Sequence, residues 1–230
     1  MRLVGIDMWC DGLSEQQVSL LLKHLDLVVE KNKVVNLTRI EDLDSAKLLH
    51  IEDSLSALPE LNDCPDGLYG DLGSGAGFPG IPLAVATNRK TMLVDARKKK
   101  MDAVREIVEA LGLSHQIETY AGRAELLARS KSGAYSALTA RALSKLSVLM
   151  ELASPLLKQG GRLICYKSHV EDIEFEHALS IQKTVGMKLV SDRKFKLGED
   201  YDRRILVFEK VGKPTIKLPR LEGQAQKNPL

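Results

Sequence analysis

Asp71-Leu72-Gly73-Ser74-Gly75-Ala76-Gly77-Phe78-Pro79-Gly80-Ile81-Pro82 is the stretch that decides how this chain folds. It joins a short apolar run, residues 68–72, to an apolar segment reaching about Ala86. The first reads as a strand and the second as a helix. Glycines at 73, 75 and 77 allow positive φ and let backbone approach a ligand closely. The next strand, Thr-Met-Leu-Val at 91–94, runs into Asp95, twenty residues beyond Gly75. A carboxylate so placed can accept two hydrogen bonds from a ribose diol. Strand, glycines, helix, strand and acid in this register predict a nucleotide site, where an isolated Gly-x-Gly-x-Gly would predict only a turn.

Outward from that unit the rhythm repeats. A helix with Met101, Val104, Ile107, Val108 and Leu111 on one face ends at Gly112. Strands are predicted at 116–120, 135–139 and 162–166, and helices at 123–128, 144–157 (broken near Pro155) and 170–184. Gly160-Gly161 reads as a turn. Two closing strands, 187–195 and 203–209, flank the polar turn Gly198-Glu199-Asp200. Alternating strands and helices imply a mainly parallel, doubly wound sheet, with an antiparallel edge from the final hairpin. Before this domain (67–211) lies a helical N-terminal segment, residues 1–62. Its first helix, 14–30, carries Val18, Leu21, Leu22, Leu25, Val28 and Val29 behind Ser14 as N-cap. Its second, 44–58, is stopped by Pro59, and 62–67 is a turn-rich linker.

The bulk properties narrow the class. The chain has 230 residues, 44% hydrophobic and 28% charged, ordinary for a globular protein. No apolar run is long enough for a membrane helix, and the N-terminus has no leader-like core. Cys10, Cys64 and Cys165 are scattered, which argues against a disulfide framework or a metal site. A cytoplasmic protein without a membrane partner is expected. Net charge is +2, yet residues 210–230 alone carry +4, and Arg97-Lys98-Lys99-Lys100 is a second basic cluster. Either is a solvated face or a phosphate footprint. Residues 212–230 read as a basic tail independent of cofactor binding.

The loop also discriminates between nucleotides. A dinucleotide loop needs free amides at its helix start to face a pyrophosphate. Pro79 and Pro82 remove donors there, and Asp71 repels phosphate while suiting an ammonium group. S-adenosyl-L-methionine is favoured over a nicotinamide cofactor.

Gly70 to Ala84 closely resembles the loop of the bacterial RsmG (GidB) family. Val35-Asn36-Leu37-Thr38, His50-Ile51-Glu52-Asp53-Ser54-Leu55, Thr139-Ala140-Arg141-Ala142 and the basic C-terminal residues are similar to further elements of that family. The chain departs from its pattern at Leu49, where a basic residue is usual, and at Ser168, where a glycine is. The resemblance implies a class I, Rossmann-like methyltransferase with a seven-stranded mixed sheet. It also implies transfer of a methyl group from adenosylmethionine to N7 of a guanosine in the decoding-site loop of 16S rRNA. The partner is then 16S rRNA, within the 30S subunit, and the protein a monomer. Gly73 and Phe78, Ala124 and Glu125, and Arg141 become cofactor contacts by the resemblance. Asp95 is reached by both routes, and Ser74, Gly75 and Gly77 complete the loop.

Guanine N7 carries a lone pair and no proton, so this chemistry requires no general base. The segment after the fourth strand lacks both the Pro-Pro-aromatic run of amino-group methyltransferases and a Pro-Cys nucleophile. Arg141 is the candidate catalytic residue, orienting the base, with a surface ion pair as its bland alternative. Lys167 is a candidate RNA contact, and His50, Asp53 and Ser54 are as readily helix braces. Methylation of another substrate, an oxidoreductase, or an RNA-binding protein with an inactive cofactor fold all stay open.

Overall fold

A computed structural model describes residues 11–40 and 42–230; Cys10 and the segment read as leader-free lie outside them. The N-terminal helix α1 (Glu15–Asn32) begins as expected, with Ser14 and Gln17 forming a reciprocal capping box. The second helix is not continuous. α2 (Leu43–Ala46) runs into a π-helical segment, Lys47–Glu52, and then α3 (Asp53–Leu55). Pro59 does not stop this helix; it sits in the first turn of a new one, α4 (Leu58–Asn62). The reason is that a proline's missing N–H costs nothing at a helix start.

The main domain follows as β1 (Leu68–Leu72), α5 (Gly80–Thr87), β2 (Thr91–Asp95), α6 (Lys98–Ala110), β3 (Ile117–Ala121), α7 (Ala124–Ser130), β4 (Tyr135–Arg141), α8 (Leu146–Ala153), β5 (Leu157–Lys167), α9 (Asp172–Ser180), α10 (Gln182–Val185), β6 (Met187–Leu197) and β7 (Tyr201–Lys210). A four-residue helix, α11 (Gln224–Lys227), lies near the C-terminus. The seven strands form one sheet in the order β3-β2-β1-β4-β5-β7-β6. β1 to β5 pair in parallel, and β7 is antiparallel to both neighbours. The expected seven-stranded mixed sheet is present. Gly160-Gly161 is not a turn but part of β5, at a register shift against β4 between Tyr135 and Ala137. There the strand bulges and continues.

Alternate side chains of each strand serve opposite cores. On β2, Leu93 joins the cluster beneath α1, α5 and α6, while Met92 and Val94 join the one beneath α7 and α8. The linker at 62–67 is clamped by Arg89, whose guanidinium donates to the carbonyls of Leu61, Cys64 and Pro65 at 2.9–3.2 Å. α1 is bound to the sheet domain too, Gln17 donating to the Val85 carbonyl at 2.8 Å. Strand order reverses between β1 and β4, and the carboxyl ends on either side of that reversal are where open α/β sheets bind ligands.

Candidate active site

The glycine loop is closed by its own hydrogen bonds. The Gly73 and Ser74 amides donate to the Val94 carbonyl, and those of Gly77 and Phe78 to the Ser74 carbonyl. Gly75 N donates to Asp95 Oδ2 at 3.2 Å, and Gly80 N, at the start of α5, to Asp71 Oδ2 at 3.0 Å. Since these amides are engaged, the loop has few donors for a phosphate. Gly73 has φ +76°, and a Cβ there would meet Leu143 Cδ1 at 2.8 Å. Glycine is therefore needed both for the backbone conformation and for the close approach of the loop after β4.

Asp71 does not face a ligand. It is fully buried, with Oδ1 accepting from Thr139 Oγ1 at 2.8 Å and Oδ2 from Gly80, and burial pushes its carboxyl up to about 6. The expectation that it meets an ammonium group fails: β4 and α5 close over it, and its role is to tie them to β1.

A cavity of about 390 Å³ opens at the carboxyl ends of β1 to β4. That is a small-molecule volume. The structure brings Gly73, Gly75, Asp95, Ala124, Glu125 and Arg141 to its wall. Asp95 Oδ1 accepts from Arg97 N at 2.8 Å, so each carboxylate oxygen is oriented by one backbone amide and keeps lone-pair capacity for a ligand. Ser74, Gly77 and Phe78 are not on that wall. Ser74 is buried, Gly77 packs on Ile81 and His24, and Phe78 is only 5% exposed. The Phe78 ring is stacked between His24 and His50, with centroids 4.3 and 4.5 Å away. Its place in the cofactor pocket is thus replaced by a place beneath it, because the cofactor loop folds back onto the N-terminal helices.

Both histidines are held neutral by burial, each with its pKa lowered to about 4. His24 Nε2 lies 3.1 Å from the Ala76 carbonyl, which only accepts, so this nitrogen carries the proton. His50 Nε2 hydrogen-bonds Thr38 Oγ1 at 2.9 Å. The Asn-Leu-Thr element is thereby a brace, and the Asn32 side chain accepts from its Leu37 and Thr38 amides.

Arg141 ends β4. Its Nη1 donates to Asp53 Oδ2 at 2.7 Å and to the Leu49 carbonyl at 3.0 Å. Asp53 Oδ1 accepts from Arg203 Nε at 2.7 Å, so one buried carboxylate bridges two guanidinium groups. Arg141 is accordingly no surface ion pair: its side chain is 16% exposed and fixed by the N-terminal segment. A second cavity, of about 590 Å³, shares Arg141 and Ala142 with the first. It is also lined by Asp53, Lys167, His169 and Arg203. Lys167 is held by Glu174 at 2.8 Å and by the Ser144 carbonyl at 2.9 Å. Ala142, between the cavities, has φ +53°, an uncommon conformation for a residue with a Cβ. Nothing in its sequence signals that, and the Asp53 bridge, spanning 88 residues to Arg141, is equally silent.

The C-terminal residues are not a free tail. Arg220 makes a two-point pair with buried Glu151, at 2.6 and 2.5 Å. Gly223 N donates to Glu125 Oε1 at 2.8 Å, and Gln226 lines the first cavity. Among the described residues no cluster could hold a metal ion, and no helix is long and apolar enough to cross a membrane.

The fold is shared with methyltransferases and with at least one enzyme of other chemistry. Geranyl diphosphate C-methyltransferase from Streptomyces coelicolor A3(2) superposes with a TM-score of 0.53 at 13% identity, covering 74% of this chain and 80% of that one. The [4+2]-cyclase SpnF gives 0.59 at 15% identity, covering 86% and 97%. Sequence is more specific. Ribosomal RNA small subunit methyltransferase G of Lysinibacillus sphaericus (strain C3-41) is 34% identical over 221 residues, 95% of this chain and 93% of that protein. The protein of the same name from Lactiplantibacillus plantarum is 35% identical over 227 residues, again 95% of this chain. The model of the GidB family, rRNA small subunit methyltransferase G, matches residues 17–204. With the glycine loop, Asp95 and Arg141 arranged as described and relatives matched along nearly its whole length, this chain belongs to the rRNA small subunit methyltransferase G family.

Proposed function

We propose that the protein transfers a methyl group from S-adenosyl-L-methionine to N7 of one guanosine in the decoding-site loop of 16S rRNA. It acts as a monomer in the cytoplasm, with the 30S particle as its substrate. The observation that carries the reading is the pair of cavities meeting at Arg141 and Ala142. One has the ribose acid Asp95. The other is lined by Arg141, Lys167 and Arg203, with His169, and Asp53 is the carboxylate among its lining residues, a basic wall suited to an RNA strand.

Adenosylmethionine fits the first cavity: a carboxylate with lone pairs for a ribose diol, a loop whose amides are mostly engaged within the protein, and a small-molecule volume. When bound it supplies a methyl group on a sulfonium, open to in-line displacement. Asp95 would accept from the ribose hydroxyls. Gly73 and Gly75 would let the methionyl moiety lie against backbone, and the Ala124-Glu125 backbone would border the adenine. Ser74, Gly77 and Phe78 support the loop from below. Arg141 is the catalytic residue, its guanidinium facing the guanine. Asp53 is occupied by two arginines, and burial lowers the His50 pKa to about 4, leaving its imidazole a weak base; attack by N7, which carries no proton, needs none. Rate comes from alignment, for which oriented reactants gain up to about 7–11 kcal/mol.

N7-methylated guanine bears a positive charge, and its glycosidic bond becomes labile after reduction. Product 16S rRNA treated with borohydride and then aniline is expected to break at one guanosine, only after incubation with both enzyme and adenosylmethionine. RNA that gains labelled methyl yet stays intact would place the methyl group on another atom.

A further inference from the structure

The methyl group must face the RNA, and among the described residues the two cavities share Arg141 and Ala142. On the adenosylmethionine reading, the sulfonium end therefore lies beside β4. With the ribose fixed at Asp95, the adenine extends the other way, past the end of β3 towards Gly122, Ala124 and Glu125. The wall beyond that point comes from the C-terminal segment, through Gln226. That segment is built in. Glu125, 4% exposed, receives the Gly223 amide, and Glu151, 3% exposed, receives Arg220. Arg220 also donates to the Asn228 carbonyl at 2.8 Å, closing the segment on itself. Ala225, one residue before Gln226, is buried at 1% exposure in the core under α7 and α8. The anchors leave Gln226 exposed at the cavity rim while fixing the backbone that carries it.

We propose that residues 220–228 form the adenine wall of the cofactor site, with Gln226 as a specificity-determining contact. Its side-chain carbonyl accepts from the exocyclic amino group of adenine, and its amide nitrogen can donate to the ring. Glu125 and Glu151 are positioning residues that hold this wall. The inference rests on the adenosylmethionine reading and adds to it a segment outside the matched residues 17–204.

Titration calorimetry tests it with S-adenosylhomocysteine and with the analogue whose base is unsubstituted purine, which lacks the amino group. One neutral hydrogen bond corresponds to about a fivefold change in Kd. Gln226→Ala is expected to weaken S-adenosylhomocysteine by at least about that factor, since the contact to the ring is lost as well. The purine analogue should bind the unaltered protein about fivefold more weakly than S-adenosylhomocysteine, whereas the variant should bind both ligands alike. A Gln226→Ala protein that still distinguishes the ligands as the unaltered one does would overturn the contact. Ending the chain at Glu222 is expected to weaken S-adenosylhomocysteine at least as much as Gln226→Ala. A truncated protein that folds and binds with unchanged affinity would overturn the wall; if it does not fold, the point variant decides. Failure of the unaltered protein to bind S-adenosylhomocysteine at all would instead refute the adenosylmethionine reading, and this inference with it.

Discussion

Replacing Asp53 by alanine removes the carboxylate that bridges Arg141 and Arg203. The Asp53 side chain is 6% exposed and the two arginine side chains 16% and 15%, so the bridge is largely shielded from water. Deleting one partner of a buried ion pair costs about 3–5 kcal/mol, because the remaining charge is left uncompensated. Here the lower end applies: both guanidiniums retain some water, and Arg141 keeps the Leu49 carbonyl. For a domain of this size about 3 kcal/mol lowers the melting temperature by roughly 6–12 °C. Arg141 also loses its orientation, and a displacement of about 1 Å at a reacting centre can cost on the order of a hundredfold in rate. Asp95 is untouched, so cofactor affinity should fall by no more than about fivefold, the effect of losing one hydrogen bond from Arg141. Differential scanning calorimetry, single-turnover methylation of 30S particles and cofactor titration read the three quantities separately. Asp53→Asn, which keeps one acceptor oxygen, should fall between the two proteins in stability. A folded Asp53→Ala protein that melts with the unaltered one and methylates at its rate would refute the bridge as the device that sets Arg141.

Asp95→Ala should weaken adenosylmethionine binding at least about tenfold, since charge-assisted hydrogen bonds contribute roughly 1.5–3 kcal/mol; unchanged calorimetric affinity in a folded variant would remove Asp95 from the ribose site. His24 should make the protein acid-sensitive. Its folded pKa of about 4 lies below the unfolded value near 6.5, so its contribution is complete above pH 6.5 and is lost as pH falls towards 4. At pH 5 that loss is about 2 kcal/mol. His24→Gln, which keeps a donor for the Ala76 carbonyl, should lose about that much less stability between pH 7.5 and pH 5 in urea unfolding. An equal loss in both proteins would show that His24 is not the titrating group.

The glycine loop, its flanking strands and Asp95 are legible in sequence because their logic is local. Each glycine or acid stands at a fixed offset from an apolar run, and the pairing of β1 with β2 turns those offsets into distances. Arg141 is legible as a residue but not as a geometry, since Asp53 and Leu49 reach it from the N-terminal segment. Gly160-Gly161 misleads for a related reason. Two glycines favour a turn locally, and only the β4 partner, at Ala137 and beyond, keeps the strand going through them. Phe78 misleads because a loop residue is expected to face the ligand, whereas His24 and His50 draw its ring inward. The C-terminal charge count fails most clearly. It treats Arg220 as free positive charge, but its partner Glu151 lies 69 residues earlier, on α8.

The π-helical turn at Lys47–Glu52 makes chain length, as well as residue identity, a condition of activity. A π turn holds one more residue than the α turn it replaces, and such insertions are frequent at functional sites. Leu49, inside it, presents a carbonyl to Arg141, and Asp53, immediately after it, presents the carboxylate. Losing any one of the six residues would let the segment relax into ordinary α-helix with its apolar stripe almost intact. The flanking turns would keep their phase, because the wider turn is what absorbs the extra residue; what would change is the backbone inside it, where the Leu49 carbonyl meets Arg141. A single-codon deletion here would spare the helix and the direction of Asp53 but lose that carbonyl contact. Homologous chains that keep the same residue types but are one residue shorter in this segment would carry the loop, the sheet and Asp95, yet hold Arg141 by Asp53 alone.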